Sequence, residues 1–220
     1  AFEPVSPYWI VGPGLEEAAL LAELDEAVDL GVEHFSVYIL ELHEGTRLVE
    51  RVRAGDVVLP PDPVAESLYL AVVGHLEGRG FPQYEVSNFA RPGAESRHNR
   101  NYWSGRPWLG LGPGAHGFWG RRRYANHGTL AAWHADLAAG RVPEAEIDPL
   151  DRAARRLERL VLGLRTAEGV ALDSLAPNAL DLPRGVEEGL WQVVDDHLIL
   201  TPKGFLRIDT IEARLARLTP

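Results

Sequence analysis

Gly31-Val32-Glu33-His34-Phe35-Ser36-Val37-Tyr38-Ile39-Leu40 decides the fold class, because a β-branched and aromatic run follows directly on a glycine placed to stop a helix. Upstream, Leu15, Ala18, Ala19, Ala22, Ala27 and Leu30 recur on a helical period. His34 to Leu40 then reads as a short buried strand, so the segment is one αβ step. The step repeats downstream: Asp62-Pro63 makes an N-cap and first-turn pair, the helix runs to about Arg79, Gly80 stops it, and Gln83 to Phe89 reads as a strand. Two such steps in succession predict a parallel sheet and an α/β class.

Working outward, Ala90 to His127 is rich in Gly, Pro, Asn, His and Trp without steady periodicity, which predicts a long functional loop region. Thr129 to Ala139 reads as a short helix stopped by Gly140, and Pro143 to Pro149 as a linker. A boundary near 148 follows, dividing residues 1–147 from 148–220. In the second part Leu150 to Arg165 is a charged amphipathic helix. Leu190 to Val194 and Leu198 to Leu200 flank Asp195-Asp196-His197 as a hairpin, and Thr201-Pro202 caps a last helix through Leu218. Helices with a two-stranded wing predict a small winged-helix-like α+β module.

Composition narrows the functional classes. A formal charge of −10 argues against a general binder of nucleic-acid backbones, although Arg121-Arg122-Arg123 forms a local basic patch. With 0 cysteines, the chain's own residues can form no disulfide and no thiolate-ligated zinc or iron–sulfur site. No apolar run reaches the roughly 18 residues of a membrane span, and no signal peptide is readable, so the expected setting is cytoplasmic. Methionine is absent even at position 1, from which an internal piece of a longer protein is expected.

The densest chemical constellation is Arg97-His98-Asn99-Arg100-Asn101-Tyr102-Trp103. An imidazole can ligate heme iron, flat aromatic rings can stack on a macrocycle, and guanidinium groups pair with propionates. The same residues also suit a structural loop, with His98 and Asn99 satisfying backbone groups and the aromatics filling core. Downstream, Gly110-Leu111-Gly112-Pro113-Gly114-Ala115-His116-Gly117 lets backbone approach a ligand, or another chain segment, closely. It lacks the spacing and lysine of a phosphate loop. His98, His116 and His127 match no zinc template. Tyr84-Glu85-Val86-Ser87-Asn88-Phe89 alternates polar and apolar residues, which suits a cavity-lining strand or an edge strand. Arg152, Arg155, Arg156 and Arg159 read as a solvated helix face with no assigned site.

Taken together, Tyr84-Glu85-Val86-Ser87-Asn88-Phe89-Ala90-Arg91-Pro92-Gly93, His98-Asn99-x-x-Tyr102-Trp103 and Gly110-x-Gly112-x-Gly114-Ala115-His116-Gly117 resemble the coproporphyrinogen-III-oxidase-like radical-SAM family. Leu160-Val161-Leu162-Gly163-Leu164-Arg165-Thr166 and Leu200-Thr201-Pro202-Lys203-Gly204 are similar to its C-terminal domain, and the resemblance spans about residue 24 to the end. Ile10-Val11-Gly12-Pro13-Gly14 resembles the family's mid-barrel strand and turn with one residue missing. His43-Glu44-Gly45-Thr46 stands in place of the usual Glu-Pro-Gly-Thr, and Ser96 where many members have Cys.

The resemblance implies a partial (β/α) barrel remnant of a radical-SAM domain followed by the winged-helix-like domain. It also implies a [4Fe–4S] cluster and S-adenosylmethionine in the full-length family protein only. The His-Asn-x-x-Tyr-Trp motif points to the heme-chaperone branch. That branch implies heme or another porphyrin as ligand, passage to a heme-recipient protein, and a heme site built from His98, Asn99, Tyr102 and Trp103, with His98 as the iron ligand. Tyr84, Glu85, Ser87, Asn88, Gly112, Gly114 and His116 are expected to line a ligand or SAM pocket. The alternatives are a radical-SAM coproporphyrinogen III dehydrogenase and a degenerate non-catalytic paralogue.

Overall fold

A computed structural model describes residues 5–218. The chain opens with β1 (Tyr8–Val11), α1 (Glu17–Asp29), β2 (His34–Ile39), α2 (Arg47–Ala54) and α3 (Asp62–Gly78), followed by β3 (Gln83–Glu85), β4 (Asn88–Ala90) and α4 (Arg97–Trp103). Next come β5 (His116–Trp119), β6 (Arg122–Asn126), α5 (Leu130–Ala138) and β7 (Glu144–Pro149). The last part holds α6 (Arg152–Leu164), β8 (Val170–Ala171), α7 (Leu182–Glu187), β9 (Trp191–Val194), β10 (His197–Leu200), α8 (Pro202–Phe205) and α9 (Ile208–Leu218).

The first sheet has the order β1-β2-β4-β3. β1 and β2 run parallel, as the αβ step predicts. Leu20, Leu24 and Ala27 of α1 pack with Leu68, Val72 and Leu76 of α3 against Phe35, Val37 and Phe89, which are all buried. The second αβ step ends differently from expectation. Gln83 to Phe89 is not one strand but a hairpin, and β4 pairs with β2 in antiparallel register, so the sheet is mixed. The polar–apolar alternation runs unbroken through the turn at Val86-Ser87, and no Gly or Asn-Gly marks it. The sheet is open, and the described residues form no closed barrel.

Ala90 to His127, expected as a loop region, holds one helix and two strands. Ser96 accepts the Asn99 amide hydrogen and starts α4, which buries no residue and therefore leaves no apolar period to read. The expected linker at Pro143 to Pro149 is largely β7, an exposed edge strand paired with β6, and it carries the chain across position 148.

A second apolar cluster joins Leu160 and Leu164 of α6 to Val170, Trp191, Leu198, Phe205, Ile211 and Leu215. It packs on a three-stranded antiparallel sheet, β8-β10-β9, whose wing turns at Asp195-Asp196 with both residues left-handed, as a two-residue hairpin loop requires. The expected single last helix is two, α8 and α9, separated at Leu206-Arg207. No helix among the described residues is long and apolar enough to cross a membrane.

Candidate functional site

The β3–β4 hairpin buries a polar cluster beneath α4. Glu85 is 0% exposed, and one carboxyl oxygen accepts the side-chain amide of Asn88, whose own carbonyl oxygen accepts the Ser36 hydroxyl. Gln83 donates to the Tyr69 hydroxyl oxygen at 2.7 Å, and Tyr69 donates to the Val86 carbonyl at 3.0 Å. Burial pushes the Glu85 carboxyl up to about 7, against the opposing pulls of Asn88, the Ser87 backbone, the Trp103 indole and the Arg165 charge. Gln83 Oε1, Glu85 Oε2 and Trp103 Nε1 complete no hydrogen bond among the described residues, so three orphaned buried polar atoms belong to the same cluster.

A second relay fixes the start of α4. Ser6 Oγ lies 2.6 Å from His34 Nδ1, His34 Nε2 lies 2.8 Å from the Tyr84 hydroxyl, and that hydroxyl accepts the Ser96 backbone N–H at 3.3 Å. Burial lowers the His34 imidazole below its usual range and pushes the Tyr84 hydroxyl up to about 12, so both are neutral near pH 7. The backbone of β3 is also stitched to the turn after α6, with Val86 N–H donating to Arg165 and Ala167 N–H donating to Tyr84.

On α4 the expected heme residues sort onto different faces. His98 is exposed and stands edge-on to Tyr102 with ring centroids 4.5 Å apart, the i, i+4 relation of neighbours on one helix face. Tyr102 continues edge-on to Trp108 at 4.9 Å, and Trp108 to the buried Phe118 at 5.4 Å. Trp103 points elsewhere. With Arg97, Arg100, Asn101 and Arg106 it borders a cleft of about 500 Å³ that also reaches Tyr84 and Glu168. Arg100 spans it by an ion pair to Glu168 at 3.1 Å. Asn99 sits half-buried in the first turn, its amide hydrogen held by Ser96.

The other expected residues lie apart from this cleft. Ser87 borders a separate cavity of about 290 Å³ with Tyr38, Arg165 and Asp209. The glycine loop wraps Tyr124 and Asn126: Asn126 donates to the carbonyls of Gly110 and Gly112, and the Gly110 amide hydrogen meets the Tyr124 hydroxyl at 3.0 Å. At Gly117 a Cβ would stand 2.1 Å from the Tyr124 ring, so the glycine is there for close crossing of two strands. Gly114 and His116 are exposed. Among the described residues His98, His116 and His127 belong to no metal-binding group of three or more side chains.

Sequence reasoning missed His34, Ser36, Gln83 and Trp108. Two polar residues inside the buried run His34–Val37 were the available signal, because buried polar side chains need partners.

No protein-family model matches the sequence. Among curated proteins it is 38% identical over 200 residues to "Heme chaperone HemW" of Mycobacterium tuberculosis (strain H37Rv), covering 90% of this chain and 51% of that one. It is 33% identical to "Heme chaperone HemW" of Bacillus subtilis, covering 93% and 57%. To "Radical S-adenosyl methionine domain-containing protein 1, mitochondrial" of Danio rerio it is 36% identical, covering 72% and 37%. The chain thus spans about half the length, or less, of these curated relatives. Among solved structures it superposes on coproporphyrinogen III oxidase (HemN) from Escherichia coli with a TM-score of 0.75 at 16% identity, covering 97% of this chain and 55% of that one, a likeness of fold. The motifs of residues 84–117, the identity to these relatives and the shared fold lead to one assignment: the chain belongs to the HemN-like radical-SAM family, in its HemW-type branch.

Proposed function

We propose that this chain is part of a heme-handling protein that takes heme as cargo and passes it to a recipient protein in the cytoplasm, with α4 as the element that meets the iron. One observation carries the reading: His98 is solvent-exposed on a capped helix, its ring held, among the described residues, by the edge contact with Tyr102 alone. An imidazole so presented can offer a ring nitrogen to heme iron as an axial ligand. Tyr102 offers a ring wall beside it, and Trp108 supports that wall from behind. Arg97 and Arg106, without an ion pair among the described residues, supply guanidinium groups for propionates. Asn99 and Trp103 hold the helix, and Tyr84, Glu85 and Asn88 form the buried support beneath it. The names carried by the relatives agree with this reading. We also propose that residues 1–147 and 148–220 act as two units, a division supported by the two separate apolar clusters.

The family's iron–sulfur cluster does not fit this chain's own donor set. Such clusters are held by thiolates, and there are 0 cysteines here, so no step is derived through the cluster or through S-adenosylmethionine.

Titration with hemin, following the Soret band, tests the proposal. The wild-type chain and His116→Ala should give a saturable shift that His98→Ala loses. Equal binding by His98→Ala, or no saturable shift in the wild type, would overturn it.

A further inference from the structure

A second cleft, of about 710 Å³, is bordered by Arg121, Arg152, Arg155, Arg156 and Arg159. Four of these come from α6 at spacings of three, one and three, a single helix face about 10 Å long. The fifth arrives from the β5–β6 turn. Its position is fixed: Arg121 holds a left-handed backbone (φ 66°), and its carbonyl accepts the Leu150 amide hydrogen at 3.0 Å, which ties the turn to the start of α6. Between the guanidinium groups lies an apolar floor of Leu160, Val170 and Ala171 with the backbone of Gly163 and Gly169.

Several arginines elsewhere in the chain are neutralised, whereas this cleft gathers five that, among the described residues, are not. Arg122, Arg123, Arg165 and Arg207 each meet a carboxylate, in Glu144, Glu158, Glu212 and Glu66. None of the five cleft arginines belongs to an ion pair among the described residues, although the chain carries 32 acidic residues against 22 basic ones. Among the described residues no carboxylate borders the cleft. Two of the five are oriented: Arg156 donates to the Ser174 carbonyl at 3.1 Å, and Arg155 lies 5.1 Å above the Phe118 ring. Like charges at i, i+3 and i, i+4 cost helix stability. Left unneutralised around an apolar floor, they complement a ligand that brings both anionic oxygens and an apolar body.

We propose that this cleft binds an amphiphilic dianion, its apolar body against Leu160 and Val170 and its two oxyanion groups on the arginines. Carboxylates and phosphates share this chemistry. If the heme reading holds, the carboxylate source is the propionate pair of a porphyrin. The site stands apart from His98 and needs no iron.

The full chain is titrated with metal-free protoporphyrin IX by fluorescence, with its dimethyl ester, and with ATP by calorimetry. Either diacid porphyrin or ATP should bind saturably, and Arg152→Ala/Arg159→Ala should weaken that ligand by roughly tenfold or more. Both side chains are exposed, so the double variant keeps the fold. Porphyrin binding lost in the dimethyl ester assigns carboxylates, whereas ATP binding assigns phosphates. Wild-type affinity should also fall steeply as salt rises. The double variant should keep the hemin Soret shift that His98→Ala loses, which separates this site from the proposed iron ligand. Binding of neither ligand, binding equal in the double variant, or affinity indifferent to salt overturns the proposal.

Discussion

Asn88 donates its side-chain amide to Glu85 across the Val86-Ser87 turn, and through its carbonyl oxygen it draws in the Ser36 hydroxyl of the neighbouring strand. The contact closes the hairpin and leaves Glu85 with one satisfied oxygen and one orphan. A carboxyl placed this way is held in its protonated form at a stability cost that grows with pH.

Glu85 therefore makes a stability prediction with a defined sign. Its folded value is about 7 against 4.5 for the free side chain, so between those values the folded state holds more protons than the unfolded one. Stability is unpenalised below about pH 4.5, falls as pH rises toward 7, and carries the full cost above it. The size is about 3 kcal/mol. Glu85→Gln, which keeps the shape and removes the charge, should gain stability relative to wild type by that order between pH 5 and pH 8 in urea denaturation. A constant difference across that range would refute the assignment.

His34 has the opposite sign. Burial lowers its imidazole, so its contribution is whole above pH 6.5 and is lost as pH falls below that value. In wild type this slope opposes the Glu85 slope near pH 5 to 6.5. Glu85→Gln should unmask it, giving a variant whose stability declines more steeply on acidification than that of the parent.

Tyr84 couples this cluster to α4, since its hydroxyl meets both His34 and the Ser96 amide. Tyr84→Phe should cost about 1–3 kcal/mol, the range for leaving buried polar groups unpaired. It should also raise hydrogen exchange at the Asn99 amide, because the N-cap residue loses its anchor. Global destabilisation with unchanged exchange at Asn99 would place the loss elsewhere.

What was legible in the sequence follows from what each segment buries. The period of α1 and the run of β2 were readable because Leu20, Leu24, Phe35 and Val37 face one core. α2 was not read, yet Thr46 caps it and Gly55 ends it in the left-handed region, and both signals were present. α4 and β7 were missed because neither buries a continuous apolar face. The four arginines of α6 looked like an ordinary solvated face, since nothing local shows that Arg121, some thirty residues away, folds against them. The motif of residues 97–103 was legible as chemistry, but adjacency in sequence hid the separation of His98 and Tyr102 from the cleft that Trp103 borders.

Gly117 and Gly114 separate packing from backbone cost. A methyl at Gly117 would enter the Tyr124 ring, so Gly117→Ala should lose about 1–3 kcal/mol or more through overpacking. At Gly114, with a φ of 68°, a Cβ would meet the Gly128 Cα at 3.8 Å, an ordinary contact, so Gly114→Ala should lose only the left-handed penalty of about 1–2 kcal/mol. In the Gly117→Ala background, Tyr124→Leu should recover part of the loss while forfeiting the hydrogen bond to the Gly110 amide. Equal costs for the two glycine variants would mean that the crossing at Tyr124 is looser than the structure has it.

His98 distinguishes a presented ligand from a structural histidine. Among the described residues its one partner is the Tyr102 ring, and it is exposed, so His98→Ala should shift stability by no more than about 0.5 kcal/mol. Tyr102→Ala removes the middle of the ring series that ends on buried Phe118, so it should cost more than His98→Ala does. If the imidazole serves iron, hemin binding and stability part company at His98: the first is lost and the second kept. A His98→Ala variant that loses as much stability as Tyr102→Ala would make the imidazole part of the packing, and the iron ligand would then have to be sought at His116 or His127.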